Sequence, residues 1–490
     1  MGEYKLIRKV NKERKRINRK RLINQDIFKI SVFFTILFFA LIGFLGAFLV
    51  FQSGSVINNT YNKRSESLKN TVHRGSILAA DGTALAVTQT GEDGTDTRIY
   101  PFGDEFFHVV GFDSKGGLGM ESSYNYYLLT SHADIFSRIG SEFSSSKLKG
   151  DNIVTTLDVS VQQAMYDAIG DNEGAAIAID ASTGAILGMV SKPDHDPNSI
   201  SEDWQAIIDD ENNSILLNRA TQAAFTPGST FKLFTLLEYY RQNNGNVGDF
   251  EYVCEGTLSE DGHVFGCPNG NAHGYEDLRS AFAFSCNCAF SEIGTTLDLE
   301  RFAADNKQML FNTDLDIDIA SGKSSFSLEP GASRFMVMQT AFGQGETLVT
   351  PLHLAMVTSA IANKGVLMKP HLVSRVTDSD GNTVKNFKPS VYDRLLSEEE
   401  AAFMKDCMRA VVTDGTAIVI SYDGNYYAYG KTGTAETKTN KEENYDHSWF
   451  TGFAENNGTV IVVCAMIENM EDAGITGLSV AKSVFDTYFN

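Results

Sequence analysis

Ser229 stands in the run Pro227-Gly228-Ser229-Thr230-Phe231-Lys232, with a lysine three residues after the hydroxyl. Pro and Gly make a turn, and the apolar-periodic run after Phe231 is helical, so the pattern predicts Ser229 at a helix start. Backbone N–H groups are unpaired there and the helix dipole is positive. Residues three apart share a helix face, which brings the Lys232 stem beside the hydroxyl. A lysine removes a serine proton only when neutral, and burial or a neighbouring cation lowers its pKa toward that state. The spacing alone identifies nothing: Ser144–Lys147 and Ser479–Lys482 repeat it and read as hinge and helix surface.

Two more groups could act with that pair. Ser285-Cys286-Asn287 reads as an extended loop with both outer side chains in a cleft. Asn287 can bind a peptide-like amide there, and Ser285 can relay a proton between lysine and a leaving nitrogen. Ser123-Tyr124-Asn125 has the same residue types. Lys431-Thr432-Gly433-Thr434 occurs once, in a strand pattern. On an edge strand Gly433 would let a substrate backbone approach and pair by strand addition. Thr432 and Thr434 can offer hydroxyls, and Lys431 a positive charge, to a carboxylate. The backbone N–H groups of Ser229 and Thr434 are a candidate oxyanion hole. What counts is the order S-x-x-K, S-x-N, K-T-G, with the serines 56 residues apart and Lys431 a further 146 on.

With this triplet the chain resembles the class B penicillin-binding proteins, the FtsI-like peptidoglycan D,D-transpeptidases. The resemblance runs from about His73 to the C-terminus. It takes in Arg74-Gly75-x-Ile77 with Asp81, Gly117-Leu118 with Met120-Glu121, Thr156-Leu157-Asp158 with Gln162, and Asn218-Arg219-Ala220. Gly343-Gln344-Gly345, Thr350-Pro351-Leu352 and Trp449-Phe450-x-Gly452-Phe453 continue it. The plan is similar to the short penicillin-binding protein A-like members, with a small pedestal and no appended C-terminal module.

The resemblance implies that Ser229 attacks the bond between the last two D-alanines of a stem peptide while Lys232 takes its proton. Ser285 and Lys431 then help protonate the leaving D-Ala, and Asn287 orients the amide. An amine from a neighbouring stem on lipid-linked precursor resolves the acyl-enzyme, and β-lactams acylate Ser229 as substrate mimics. No cofactor or metal is implied. The implied partners are a polytopic SEDS-type glycosyltransferase and division or elongation proteins. The other readings are a D,D-carboxypeptidase with water as acceptor, a β-lactamase, and a non-catalytic penicillin-binding sensor or scaffold.

These residues need elements to hold them. Asp158 reads as the N-cap of a helix carrying Val161, Met165 and Ile169. Ala175–Asp180 and Ala185–Val190 form a strand hairpin, and helical patterns follow near Phe231–Tyr240, Leu278–Ile293 and Pro351–Asn363. Strands at Tyr427–Glu436, Ser448–Ala454 and Thr459–Glu468 precede a last helix, Leu478–Tyr488. This order predicts an α+β fold of the serine β-lactamase-like kind, one antiparallel sheet assembled from both ends and flanked by helices.

The expected organisation is a basic cytoplasmic tail (1–29), a transmembrane signal anchor (30–51), a strand-rich pedestal (52–150) and the transpeptidase domain (151–490). Ser144–Gly150 is the expected hinge, and Asp104–His108 are read as pedestal strand residues. The 22 residues Ile30–Phe51 carry no charge, long enough for a bilayer core of about 30 Å. Residues 1–29 carry a net charge of +8 in a chain of net −21. Positive flanks stay cytoplasmic, so the other 439 residues are expected outside. So acidic an ectodomain excludes nucleic acid as partner. Six cysteines make no disulfide framework. Cys254 and Cys267 could pair, Cys286 and Cys288 would share a face of one strand, and the absence of C-x2-C spacing speaks against zinc. Cys464 reads as a buried strand residue.

Overall fold

The computed structural model describes residues 2–51, 71–133, 147–210, 214–260, 262–420, 424–438 and 444–490. The chain divides into two units, 1–63 and 64–490. The described residues of the first form a single helix, Gly2–Phe51, which continues through the basic tail and the apolar span alike. Phe33, Phe34, Phe38 and Phe39 all project from it exposed. Among the described residues it is the one helix long and apolar enough to cross a membrane. Its apolar surface would be costly in water and is satisfied by lipid, so it fits a single-pass membrane anchor.

In the second unit one sheet has five antiparallel strands. Their order is Tyr427–Lys438, Asn444–Asn456, Thr459–Ile467, Gly174–Asp180, Ile186–Lys192. The first and last segments of the domain therefore meet side by side, as expected. Thr459–Ile467 is central and buried from Ile461 onward, which is why it reads as an unbroken apolar run. Successive residues of Asn444–Asn456 face opposite layers. Phe450 packs on Phe485 of the C-terminal helix Gly477–Phe489, while Thr451 bonds Thr358 of the helix Pro351–Ala362 at 2.7 Å. Pro351–Ile361 is buried on every side, which makes it a core helix. Asp158 caps Val159–Ile169 through Ser160 and Val161, as its side chain predicts.

A second sheet joins strands from residues 77–99 to strands from residues 152–155 and 373–386. Its order is Thr383–Asn386, Val373–Thr377, Asn152–Thr155, Ile77–Leu78, Ala84–Thr90, Asp96–Ile99. Beside it Glu121, 1% exposed, accepts from Arg74 Nε at 2.6 Å and Arg98 Nε at 2.7 Å. One difference from expectation appears here. Asp104–Phe106 form part of a short 3-10 helix, Gly103–Phe106, instead of a strand. The expected hinge, Ser144–Gly150, lies outside the described residues at 144–146; within it Leu148–Lys149 pairs in parallel with Val72–His73.

Candidate active site

Gly228–Phe231 is a 3-10 turn that runs into the helix Lys232–Gln242. Ser229 thus sits at a helix start, one tight turn earlier than an α-helix would place it. Lys232 is fully buried, with Nζ 2.9 Å from Ser229 Oγ, 2.8 Å from Ser285 O, 3.1 Å from Ser285 Oγ and 2.6 Å from Asn287 Oδ1. Burial pushes its pKa down to about 7, against the opposing pull of the thiols of Cys286, Cys267 and Cys288 and the Glu276 carboxyl. Lys431, also fully buried, donates to Ser285 Oγ at 2.8 Å and to Thr432 O at 2.9 Å. Burial, and then the neighbouring Lys232, hold its pKa well below the ordinary lysine range. A continuous chain of polar atoms therefore runs Ser229–Lys232–Ser285–Lys431.

The S-x-N segment differs from the extended loop expected. The helical pattern Leu278–Ile293 breaks into Leu278–Ala283 and Asn287–Thr296. Ser285 occupies the break with φ +59°, a left-handed conformation that is strained for a residue with a Cβ. Asn287 opens the second helix, and its Nδ2 donates to Gly266 O at 2.8 Å, which turns its oxygen toward Lys232. Cys286 is the N-cap of this helix and Cys288 lies in its first turn, so the two share no strand face.

Lys431–Thr434 lies on the sheet's edge strand, as predicted. Gly433 also admits a close neighbour from the protein itself. A Cβ there would meet Thr230 at 2.9 Å and Pro227 O at 3.1 Å, so its smallness admits the nucleophile's own turn. A Cβ on Gly228 (φ +53°) would lie 2.2 Å from Thr434 O, and one on Gly343 would lie 1.7 Å from Gly228 O. Three backbones thus touch beneath Ser229. Trp449 steadies the same turn by donating from Nε1 to Thr226 O at 3.0 Å.

Ser229, Ser285, Asn287, Thr432, Gly433 and Thr434 line one cleft of about 870 Å³, with Lys232 and Lys431 beneath its floor. Thr416 also lines it, its hydroxyl 2.5 Å from that of Thr432. Sequence reasoning missed Thr416; its one signal is Gly415, where a Cβ would strike Ala283 O at 2.1 Å. The look-alike motifs do other work. Ser479 completes a capping box with Thr476, Lys482 pairs with Asp486, and Asn125 accepts from Arg74. Behind the site lies a group that could hold a metal: Cys254, Cys267, His273 and Cys286. Cys254 and Cys267 are free thiols with Sγ atoms 3.7 Å apart, so the expected pairing is not formed.

Known proteins share this arrangement. The family described as the penicillin binding protein transpeptidase domain matches residues 174–490. The penicillin binding protein A dimerisation domain matches residues 74–153. The peptidoglycan D,D-transpeptidase PbpA of Mycolicibacterium smegmatis is 28% identical over 477 residues, covering 92% of this chain and 95% of that one. Stage V sporulation protein D of Bacillus subtilis is 30% identical over 414 residues, covering 79% of this chain and 62% of that one. A solved D,D-transpeptidase domain of a peptidoglycan glycosyltransferase from Eggerthella lenta matches with a TM-score of 0.74 at 29% identity, covering 85% of this chain and 97% of its own. Penicillin-binding protein A from M. tuberculosis, solved as a ceftriaxone acyl-enzyme complex, matches with a TM-score of 0.78 at 25% identity over 86% of this chain and 100% of its own.

Proposed function

Since the chain belongs to the penicillin-binding protein transpeptidase family, we propose that it is a serine peptidoglycan D,D-transpeptidase whose nucleophile is Ser229. The observation that carries the reading is the buried lysine 2.9 Å from Ser229 Oγ, with its pKa lowered by burial. In acylation, Ser229 Oγ attacks the carbonyl carbon of the penultimate D-Ala and Lys232 accepts the hydroxyl proton. The C–N bond then breaks. Ser285, hydrogen-bonded to both Lys232 and Lys431, gives its proton to the departing D-Ala nitrogen and takes in return the one Lys232 had accepted, which leaves the lysine neutral again. The backbone N–H groups of Ser229 and Thr434 stabilise the oxyanion, a role supported by the approach of Gly228 to Thr434.

The substrate's terminal carboxylate goes to the hydroxyls of Thr432 and Thr434. Lys431 is turned inward onto Ser285 and Thr432 O, so its charge acts on the carboxylate from beneath. Asn287 holds Lys232 with its oxygen and orients the substrate amide. Deacylation reverses the path: the amine of a second stem peptide attacks the ester, and its proton returns through Lys232 to Ser229. β-Lactams enter as acylating mimics, and their tethered leaving nitrogen blocks the acceptor.

The apolar helix anchors the enzyme with residues 1–29 on the cytoplasmic side, 30–51 in the bilayer, and pedestal (52–150) and catalytic domain (151–490) outside. A polytopic SEDS-type glycosyltransferase is the partner that would deliver glycan strands, contacted through span and pedestal. Reconstitution tests the function. The full chain in vesicles with lipid-linked precursor and a glycosyltransferase should give cross-linked stem dimers, absent with Ser229→Ala. Release of D-Ala with no dimer would make it a carboxypeptidase.

A further inference from the structure

A second strand lines the cleft besides the one that carries Lys431–Thr434. His263–Gly266 forms a two-stranded hairpin with Thr257–Glu260, and all four of its residues border the cleft while none of Thr257–Glu260 does. The backbone shows which edge faces in. Cys267 N donates to Gly256 O at 2.9 Å, inside the hairpin, whereas Gly266 O accepts from Asn287 Nδ2 at 2.8 Å, outside it. Backbone polar groups alternate in direction along a strand. His263 and Phe265 therefore turn theirs toward Thr257–Glu260. Val264 turns its N–H and C=O the same way as Gly266, to the cleft side. Among the described residues no strand pairs with that outer edge.

The edge is held ready. Phe265, 6% exposed, packs on Phe335 and Phe342, and the His263 ring lies on Phe335 with centroids 4.2 Å apart. Arg334, beside Phe335, pairs with Glu260 at 3.1 Å and with Glu292 at 3.3 Å. Val264, by contrast, is 69% exposed. Free edges are ordinarily blunted by a lysine, a proline or a covering segment, and none of these four residues is Lys or Pro. A rigid free edge takes an extended peptide main chain to main chain, with little ordering of its own to offset.

Resting on the transpeptidase reading, we propose that this edge binds the acceptor: the second stem peptide pairs as an added strand with Val264 while the donor occupies Thr432–Thr434. Acyl transfer needs two peptides in one cleft, and the cleft has two strand edges. The acceptor amine has to enter where the departing D-Ala nitrogen left, beside Ser285. Asn287, two residues on, is bonded to Gly266 and so joins that point to the edge. The amine nitrogen forms the new amide with the acyl carbon, the ester C–O bond breaks, and the amine proton passes through Lys232 to Ser229 Oγ. Charge favours the same occupant. Among the described residues that line the cleft, Glu436 and Asp446 are the only Asp, Glu, Lys or Arg, and that field draws in a peptide carrying an amine.

Two acceptors compared on the full-length chain in detergent, with a D-alanyl thioester as donor, test it. One is D-alanine, which has no further backbone to pair with an edge. The other is a stem pentapeptide with a free side-chain amine. Val264→Pro removes the Val264 N–H and spares the ladder to Thr257–Glu260. It should lower transfer to the stem peptide about tenfold relative to transfer to D-alanine. Val264→Thr, which keeps the N–H, should restore the parent ratio. Should Val264→Pro fold poorly, the parent gives an independent answer with stem peptides N-methylated at one amide at a time. At least one of them should be accepted about tenfold less well than the unmodified peptide. An unchanged ratio in a folded Val264→Pro, or equal transfer to every N-methylated peptide, overturns the acceptor strand and leaves the transpeptidase reading standing. A parent that transfers to no stem peptide overturns both.

Discussion

Lys232 Nζ has four oxygen neighbours within 3.1 Å, yet a neutral amine offers only two N–H groups and one lone pair. The two shortest contacts, Asn287 Oδ1 and Ser285 O, take the N–H groups. The lone pair is then free to accept the Ser229 hydroxyl, while Lys431 supplies the hydrogen bond to Ser285 Oγ. This arrangement exists only above the pKa of Lys232. As that pKa is lowered to about 7, the protonated, inactive form dominates below it and the neutral base above it. The second-order rate of β-lactam acylation should rise from pH 6 to pH 8 and then level off, with pH 6 about tenfold below the plateau. Lys232→Arg, which cannot lose its charge, should be slower by about 10²-fold or more at every pH. A flat profile for the parent would remove Lys232 as the base. The eight residues expected from the sequence come together at one cleft, because three short motifs in a fixed order carry them; Thr416, outside any motif, was not legible.

Among the elements, the informative ones are those the pattern read imperfectly. Leu278–Ile293 has helical periodicity, but Ser285 breaks it with positive φ. No glycine marks the break; bonds from two buried lysines hold it, and those partners lie 53 and 146 residues away. Gly433 was legible as a close-approach glycine, though not the chain that approaches it, since only the tertiary fold brings Pro227–Thr230 onto the edge strand. Gly228 is the more exacting position. Ala there meets both a left-handed backbone and the Thr434 carbonyl at 2.2 Å, at a cost of about 1–3 kcal/mol for the backbone alone. Gly228→Ala should lower the melting temperature and lose most β-lactam labelling while keeping its far-ultraviolet circular dichroism. Unchanged labelling would mean the Ser229 turn does not depend on its seat against Thr434.

For the molecule as a whole, the sheet of five strands was legible from its apolar strands and their order, with two at one end of the domain and three at the other. The six-stranded sheet was not. Ile77–Leu78, Asn152–Thr155 and Val373–Thr377 are short strands far apart in sequence, too brief for alternation to reveal that they pair. Their pairing ties residues 77–99 to the chain beyond residue 150, and the buried Arg74–Glu121–Arg98 cluster beside it gives Arg74 and Glu121 a structural role. The anchor was legible in outline, since an uncharged 22-residue stretch needs no partner to be recognised. Helix continuing through the basic residues before it was not foreseen, because charge asymmetry speaks of orientation and not of secondary structure.

The central claim is that Ser229 alone carries the acyl group, although Ser479 has the same spacing to a lysine. Labelling the full chain with a fluorescent β-lactam and mapping the adduct by peptide mass spectrometry tests it most directly. The account predicts one adduct per chain on Ser229, retained in Ser479→Ala and absent from a folded Ser229→Ala. Label surviving in Ser229→Ala, or an adduct on any other serine, would contradict it.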